Sequence, residues 1–223
     1  MKPRVLCKFG IKSGVDYHRI ARPIRHLEEN GLIEARYWHK EIGMPREDLE
    51  WATHFIFSRQ PNVNASIIAV FGMLKQFGVR IIVDNDDSFK LPEWHTSKKA
   101  YDEGYRDLLV DSARLADEVW TTNETLKGEL LEYNSNVYVI PNSICHTDPQ
   151  WNVTKLRAKK GVRFGYMGAQ HHVKDLEWSG IDLEGLEGYT TGGKAGDYED
   201  YGSALNAKSH LDSMSPNEYG KMY

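Results

Sequence analysis

RIIVDNDDSFKLP, residues 80–92, is the stretch whose reading decides the fold. Ile81, Ile82 and Val83 form a short β-branched apolar run, which suits a strand buried on both faces of a parallel sheet. The run stops at Asp84, Asn85, Asp86 and Asp87. Ligands of open α/β sheets bind outside the carboxyl ends of the strands. The sequence therefore sets three carboxylates and one amide where such a site belongs. For any one of these Asp residues, a turn or helix cap is an equally good reading.

Working outward, the flanking segments alternate in type. Residues 5–9 read as a first strand, followed by the glycine-containing loop GIKSGVDY. A helix is expected over residues 17–30, with Ile20, Ile24 and Leu27 at helical spacing and Gly31 at its C′ position. Pro23 is awkward inside it, and the alternative is a helix whose first turn Pro23 sets, with residues 16–21 as a loop. Strands follow at 33–38 and 54–57, a polar loop with at most one helical turn at 41–50, and a helix at 62–76. After the Asp cluster come a loop over 89–103, a helix over 105–116 and a strand at 118–121. Asn123 caps a helix over 124–133, and a strand at 137–140 stops at Pro141. Strands interleaved with helices predict a doubly wound parallel sheet, a Rossmann-like α/β lobe.

Residues 144–160 are polar and basic without clear periodicity and read as a linker. A new strand is expected at 162–167. Beyond Trp178 the chain is rich in glycine, acidic residues and tyrosine. One further strand is expected there, at 182–186 or 189–191. The division expected is therefore 1–143, linker 144–160, and a partial second lobe at 161–223.

Composition sets outer bounds. The chain has 223 residues, 40% hydrophobic and 27% charged, with net charge −4, and a pI near 6.1. That is ordinary for a globular protein with a real core. The acidic balance argues against nucleic acid as a partner. Cys7 and Cys145 match no metal or redox spacing, and Cys7 sits in an apolar run as a small buried hydrophobe. No segment is apolar enough to span a bilayer. A reducing cytoplasm is the expected setting. A homo-oligomer is compatible with all of this.

Four blocks, in one order, resemble the glycosyltransferases of the two-Rossmann-lobe (GT-B) class, specifically the retaining family-4-like branch of bacteria and their phages. They are GVDYHRIARPIRHLEENG at 14–31, VDNDDSFKLP at 83–92, LADEVWTTNETLKGELLEYNSNVYVIPNSI at 115–144, and VRFGYMGAQHHVKDLE at 162–177. The resemblance implies transfer of a sugar from a nucleotide-diphosphate sugar to an unidentified acceptor, in a cleft between two lobes, without a required metal. The chain departs from the family in two ways. The second lobe is short, and the family's Glu-x7-Glu donor motif is absent from it. A non-catalytic carbohydrate- or nucleotide-binding remnant of a larger assembly is the alternative.

Chemistry can be assigned on that basis. A diphosphate leaving group needs positive charge or helix-end amides. In the second lobe, Gly168, His171, His172, Lys174 and Asp175 would supply the donor site. Asp175 takes either a ribose hydroxyl or a helix cap. In the first lobe, Gly14 would allow a tight turn, and Tyr17, Arg19 and Trp94 would contact the acceptor. Asp86, Asp87 and His18 are the candidate catalytic groups, because adjacent carboxylates raise one another's pKa into the range of a working base. Asp84-Asn85-Asp86 also spells a metal-binding DxD, so Mg2+ or Mn2+ is conceivable though not expected. A Rossmann oxidoreductase is disfavoured, since GIKSG replaces G-x-G-x-x-G after the first strand.

Overall fold

The computed structural model describes residues 2–9, 14–38, 44–59, 65–95 and 97–144, and the backbone of three strands at 163–167, 187–191 and 209–211. Two compact units divide at 144/145.

Unit one is an α/β layer structure. Its strands are β1 (Arg4–Lys8), β2 (Glu34–Tyr37), β3 (His54–Ser58), β4 (Arg80–Asp84), β5 (Glu118–Thr121) and β6 (Val137–Val139). They form a six-stranded sheet in the order β2-β1-β3-β4-β5-β6. Every pair is parallel, which makes the unit Rossmann-like. The order reverses between β1 and β3. Chain connections leave those two strands in opposite directions, opening a crevice at their carboxyl ends.

Alternation along the strands explains why the sheet is covered on both faces. Leu6, Phe55, Phe57, Ile81, Val83 and Val119 point to one core. There they meet α4 (Ala65–Gln76) and α6 (Arg106–Leu115) through Phe71, Leu74, Leu109 and Val110. Phe71 stands edge-on to both Phe55 and Phe57 at 6.1 and 5.7 Å between ring centroids, a favoured aromatic geometry. Val5, Cys7, Ile56 and Ile82 point the other way, onto Ile20 and Ile24 of the first helical segment. Both faces of β3 and β4 are thus dry, as their unbroken apolar runs require.

That first segment is one continuous helical run, the helix expected over 17–30 rather than its loop-plus-helix alternative. It comprises α1 (Gly14–Asp16), a π-turn at Tyr17–Ala21, and α2 (Arg22–Glu29). Residues 17–21 form a widened helical turn, in which the Arg22 amide donates to the Tyr17 carbonyl. Widening lets the helix pass into Pro23, whose nitrogen has no hydrogen to give. A similar device sits later. Residues 98–103, expected as loop, are helical: α5 (Lys98–Ala100) runs through a π-turn at Tyr101–Tyr105 into α6, and Gly104 breaks the regular path at φ +108°. The polar stretch before β3 contains α3 (Arg46–Trp51), which buries Leu49. The strand expected at 54–57 and the cap at Asn123 are where the sequence sets them. Asn123 Oδ1 accepts from the Leu126 amide at 3.0 Å and opens α7 (Glu124–Leu130). Gly31 and Gly78 follow their helices at φ +66° and +71°, the left-handed conformation that terminates a helix cheaply only at glycine.

Unit two contains β7 (Arg163–Met167), β8 (Glu187–Thr191) and β9 (Ser209–Leu211), parallel and in that order. The strand expected at 162–167 is present and so is one over 189–191, while 182–186 lie outside the described residues. β9 was not expected: Ser209-His210-Leu211 is too short and too polar to announce a strand.

Among the described residues no helix is long and apolar enough to cross a membrane.

Candidate functional site

The carboxyl edge of unit one carries a dense set of polar side chains, and each is there for a local reason. On the face of the first helix, β3 ends in Ser58 and β4 ends in Asp84. The helix reaches down to both. Ser58 Oγ donates to the buried Asp16 carboxylate. Arg19, in the π-turn, donates from Nε and Nη2 to the two oxygens of Asp84 at 2.7 and 2.6 Å. Its Nη1 reaches the Ile140 carbonyl at 3.0 Å and Asn142 Oδ1 at 2.8 Å. Both ends of the Arg19–Asp84 pair are buried, at 4% and 3% side-chain exposure. Burial raises the Asp84 carboxyl above its ordinary range, and the Arg19 hydrogen bonds offset part of that rise. Arg19 thus clasps the first helix to β4 and to the residues after β6.

Beyond Asp84 the chain turns. The Asn85 amide donates to the Trp120 carbonyl at 2.8 Å, and Asn85 Nδ2 donates to the Asp87 carbonyl at 2.6 Å. Asn85 is 1% exposed, and its Oδ1 has no hydrogen-bond partner among the described residues. Arg59, the residue after β3, pairs with Asp87 and donates from Nη1 to the Tyr101 hydroxyl at 2.8 Å. Asp86, half-buried between these groups, makes no ion pair of its own among the described residues. Burial is the main cause that pushes its carboxyl up to about 6. Asp87 and Asp84 add to the rise, and Arg59 works against it.

The expected site residues divide as follows. Asp86 and Asp87 sit together at this edge, with Arg59 and Tyr101 against them. Arg19 is at the same edge but is spent on Asp84, Ile140 and Asn142. It is a buried structural clasp. Gly14, Tyr17 and His18 lie on the same helical segment, where the Tyr17 and His18 rings stand edge to face, 5.0 Å apart. Trp94 is half-buried, its ring 6.3 Å from that of His95. Gly168, His171, His172, Lys174 and Asp175 lie outside the described residues. The DxD reading of Asp84-Asn85-Asp86 meets an obstacle, because a cation shared by Asp84 and Asp86 would have to displace the Arg19 guanidinium.

Four residues of the site were missed from sequence: Asp16, Ser58, Arg59 and Tyr101. The Ser58-Arg59 step could have been found, since it ends the strand that borders the order reversal. Tyr101 carried no signal in a stretch taken as loop.

A cavity of about 730 Å3 lies at the opposite edge of the sheet, lined by Lys75, Gly78, Arg80, Arg114, Asp117 and Asn136 among others. Its polar groups are largely occupied. Asp117 Oδ2 accepts from the Ile81 amide at 2.7 Å, Arg80 pairs with Glu118, and Asn134 caps the carbonyls of Ala113 and Ala116. Lys75 and Arg114 stand in the last turns of α4 and α6, where cations complement the helix dipole. Volume alone does not make this the site.

No family model and no curated protein matches the chain. Among solved structures, a conserved protein from Enterococcus faecalis V583 aligns at 12% identity and TM-score 0.32, over 63% of this chain and 92% of its own. Orotidine 5'-phosphate decarboxylase from Thermotoga maritima aligns at 13% identity and TM-score 0.19, over 100% of this chain and 98% of its own. At those scores neither likeness bears on the function.

Proposed function

We propose that the chain is a glycosyltransferase that uses a nucleotide-diphosphate sugar, with Asp86 as the base that receives the acceptor hydroxyl proton. The observation that carries this reading is Asp86 itself. It is a half-buried carboxyl with its pKa raised to about 6, placed beyond the carboxyl end of a parallel strand and, among the described residues, outside the ion pairs that occupy Asp84 and Asp87. A base is most effective when its pKa lies near the working pH. The four sequence blocks supply the reaction class, since base placement by itself fits other hydroxyl activations.

In this reading the acceptor hydroxyl lies within hydrogen-bond reach of Asp86. Asp87 is held in place by Arg59, and Arg59 by Tyr101, so the base keeps its position when the substrate enters. As the acceptor oxygen attacks the anomeric carbon, its proton passes to Asp86. The bond to the diphosphate breaks, and the nucleoside diphosphate departs with the electron pair. Gly168, His171, His172, Lys174 and Asp175 remain the donor-binding assignment by resemblance. The test is turnover of a nucleotide-sugar panel by the full chain, read as nucleoside diphosphate release. Release that falls at least about 100-fold in Asp86→Ala supports the reading, on the scale general-base removal produces. Binding of a nucleotide without turnover supports the non-catalytic alternative instead.

A further inference from the structure

Resting on the transferase reading, we propose that Glu129 is the positioning residue of the Asp86 base, through a carboxylate clasp on the turn that carries it. Asp86 stands between two sets of anchors. Before it, the Asn85 amide donates to the Trp120 carbonyl at 2.8 Å, and Asn85 Nδ2 donates past it to the Asp87 carbonyl at 2.6 Å. After it, both oxygens of Glu129 are used. Oε1 accepts from the Phe89 amide and Oε2 from the Ser88 hydroxyl, each at 2.7 Å. Ser88 Oγ in turn accepts from the Lys90 amide at 2.8 Å. One side chain, 40 residues along the chain from Phe89, thus closes the turn.

Both ends of the clasp are seated in the first core. Glu129 lies in the last turn of α7, next to Leu130, which is 1% exposed. Phe89 is 2% exposed and packs its ring 5.8 Å from that of Tyr133. Hydrogen bonds to an ionised carboxylate are roughly twice as strong as neutral ones. An alanine at 129 leaves the part-buried Phe89 amide without its acceptor, and a buried donor left unmade is costly enough to move a turn. The Phe89 ring stays in the core, so the slack falls on residues 86–88. Lys90 and Glu132 also pair across these two segments, at 3.2 Å, but both are exposed. Such pairs contribute little, which makes Lys90 a control on the same turn.

The experiment reads Asp86 in the full chain without substrate, as the pH midpoint of its carboxyl carbon by NMR. The variants are Glu129→Ala, Glu129→Gln and Lys90→Ala. Nucleoside diphosphate release from the nucleotide-sugar panel is measured beside it, at a temperature where circular dichroism shows every variant folded. Asp86 is faced by Asp84 and Asp87 from its own stretch, by Arg19 from the first helical segment, by Arg59 after β3 and by Tyr101. Its midpoint therefore reports where the turn sits among them. In Glu129→Ala the midpoint is expected to fall by about 0.5 or more, as the turn opens to water, and release to fall at least about 10-fold. Glutamine keeps an acceptor for the Phe89 amide, and its own amide can donate to Ser88 Oγ, whose hydrogen then turns to the Lys90 carbonyl 3.3 Å away. Glu129→Gln is expected to restore the midpoint and most of the release, and Lys90→Ala to change neither.

Glutamine removes the same charge as alanine, so an effect of charge alone would move both variants equally. Equal shifts in the two, an unmoved midpoint in Glu129→Ala, or an equal shift in Lys90→Ala overturns the inference. So does unchanged release in Glu129→Ala where the parent turns over. If the midpoint moves as expected and the parent turns over no nucleotide sugar, the transferase reading falls and Glu129 still sets the place of Asp86.

Discussion

Replacing Arg19 by Met removes four hydrogen bonds at once: two to Asp84, one to the Ile140 carbonyl and one to Asn142. Methionine fills much of the volume of the aliphatic stem, so the loss is electrostatic more than steric. Asp84 is then left at 3% exposure without its counter-charge. Breaking a buried pair by removing one partner costs about 3–5 kcal/mol. That is a large part of the roughly 5–15 kcal/mol that holds a domain together. At about 2–4 °C per kcal/mol for chains of this size, the melting temperature should fall by roughly 6–20 °C. The assay is urea unfolding of Arg19→Met, Asp84→Leu and the double variant. The double variant should recover at least about 2 kcal/mol of the summed single losses, because it removes both buried charges. Arg19→Lys should fall between Met and the unaltered chain, since an ammonium cannot span both oxygens of Asp84 and the Asn142 amide together. A loss under about 1 kcal/mol in Arg19→Met, the value of an exposed ion pair, would refute the clasp. So would additivity of the two single substitutions.

Asp86 gives a pH signature. Its folded pKa of about 6 lies above the ordinary 3.8, so the folded chain holds that proton more tightly than the unfolded chain does. The Asp86 contribution to stability is therefore highest below about pH 4 and is lost as pH rises through 6. Asp86→Asn should be more stable than the parent at pH 8 by more than it is at pH 5, and urea titrations at the two pH values check this. Phe71→Ala empties the space between Phe55, Phe57 and the first core, and should cost about 3–5 kcal/mol by urea unfolding. The Cys7 thiol is fully buried and its pKa is pushed up to about 12, chiefly by burial and further by Glu28. In a Cys145→Ser variant, a thiol reagent should therefore label the chain only under denaturing conditions.

The physical reach of the sequence differs between the sheet and the site. β3 and β4 are legible because each carries consecutive apolar residues, and only a strand covered on both faces accommodates such a run. The helix over 65–76 is legible from Ile67, Phe71 and Leu74, which are core residues at helical spacing. The first helix is legible from Ile20, Ile24 and Leu27, but Pro23 leaves its start open, because proline is a sound stop signal only where the helix keeps its ordinary pitch. A five-residue turn lifts that constraint, and no residue type announces one. The same holds at Lys98–Tyr105, read as loop up to residue 103, where a π-turn kinked at Gly104 joins α5 to α6. At the site, the Asp cluster was visible because position after a strand and chemistry coincide in four adjacent residues. What could not be read was the pairing. Whether Asp84, Asp86 or Asp87 is the uncompensated carboxylate depends on Arg19 and Arg59, 65 and 28 residues away. Pairing over such distances is set by sheet order, not by local sequence.

The account depends most on one measurement: nucleoside diphosphate release from a nucleotide-sugar panel by the full chain, followed from pH 5 to pH 8.5 in the parent and in Asp86→Asn. It predicts release that rises with pH through an apparent pKa near 6 in the parent, and a flat profile near background in the variant. Release that is absent at every pH, or that keeps the same rate and the same rising limb without the Asp86 carboxylate, contradicts it.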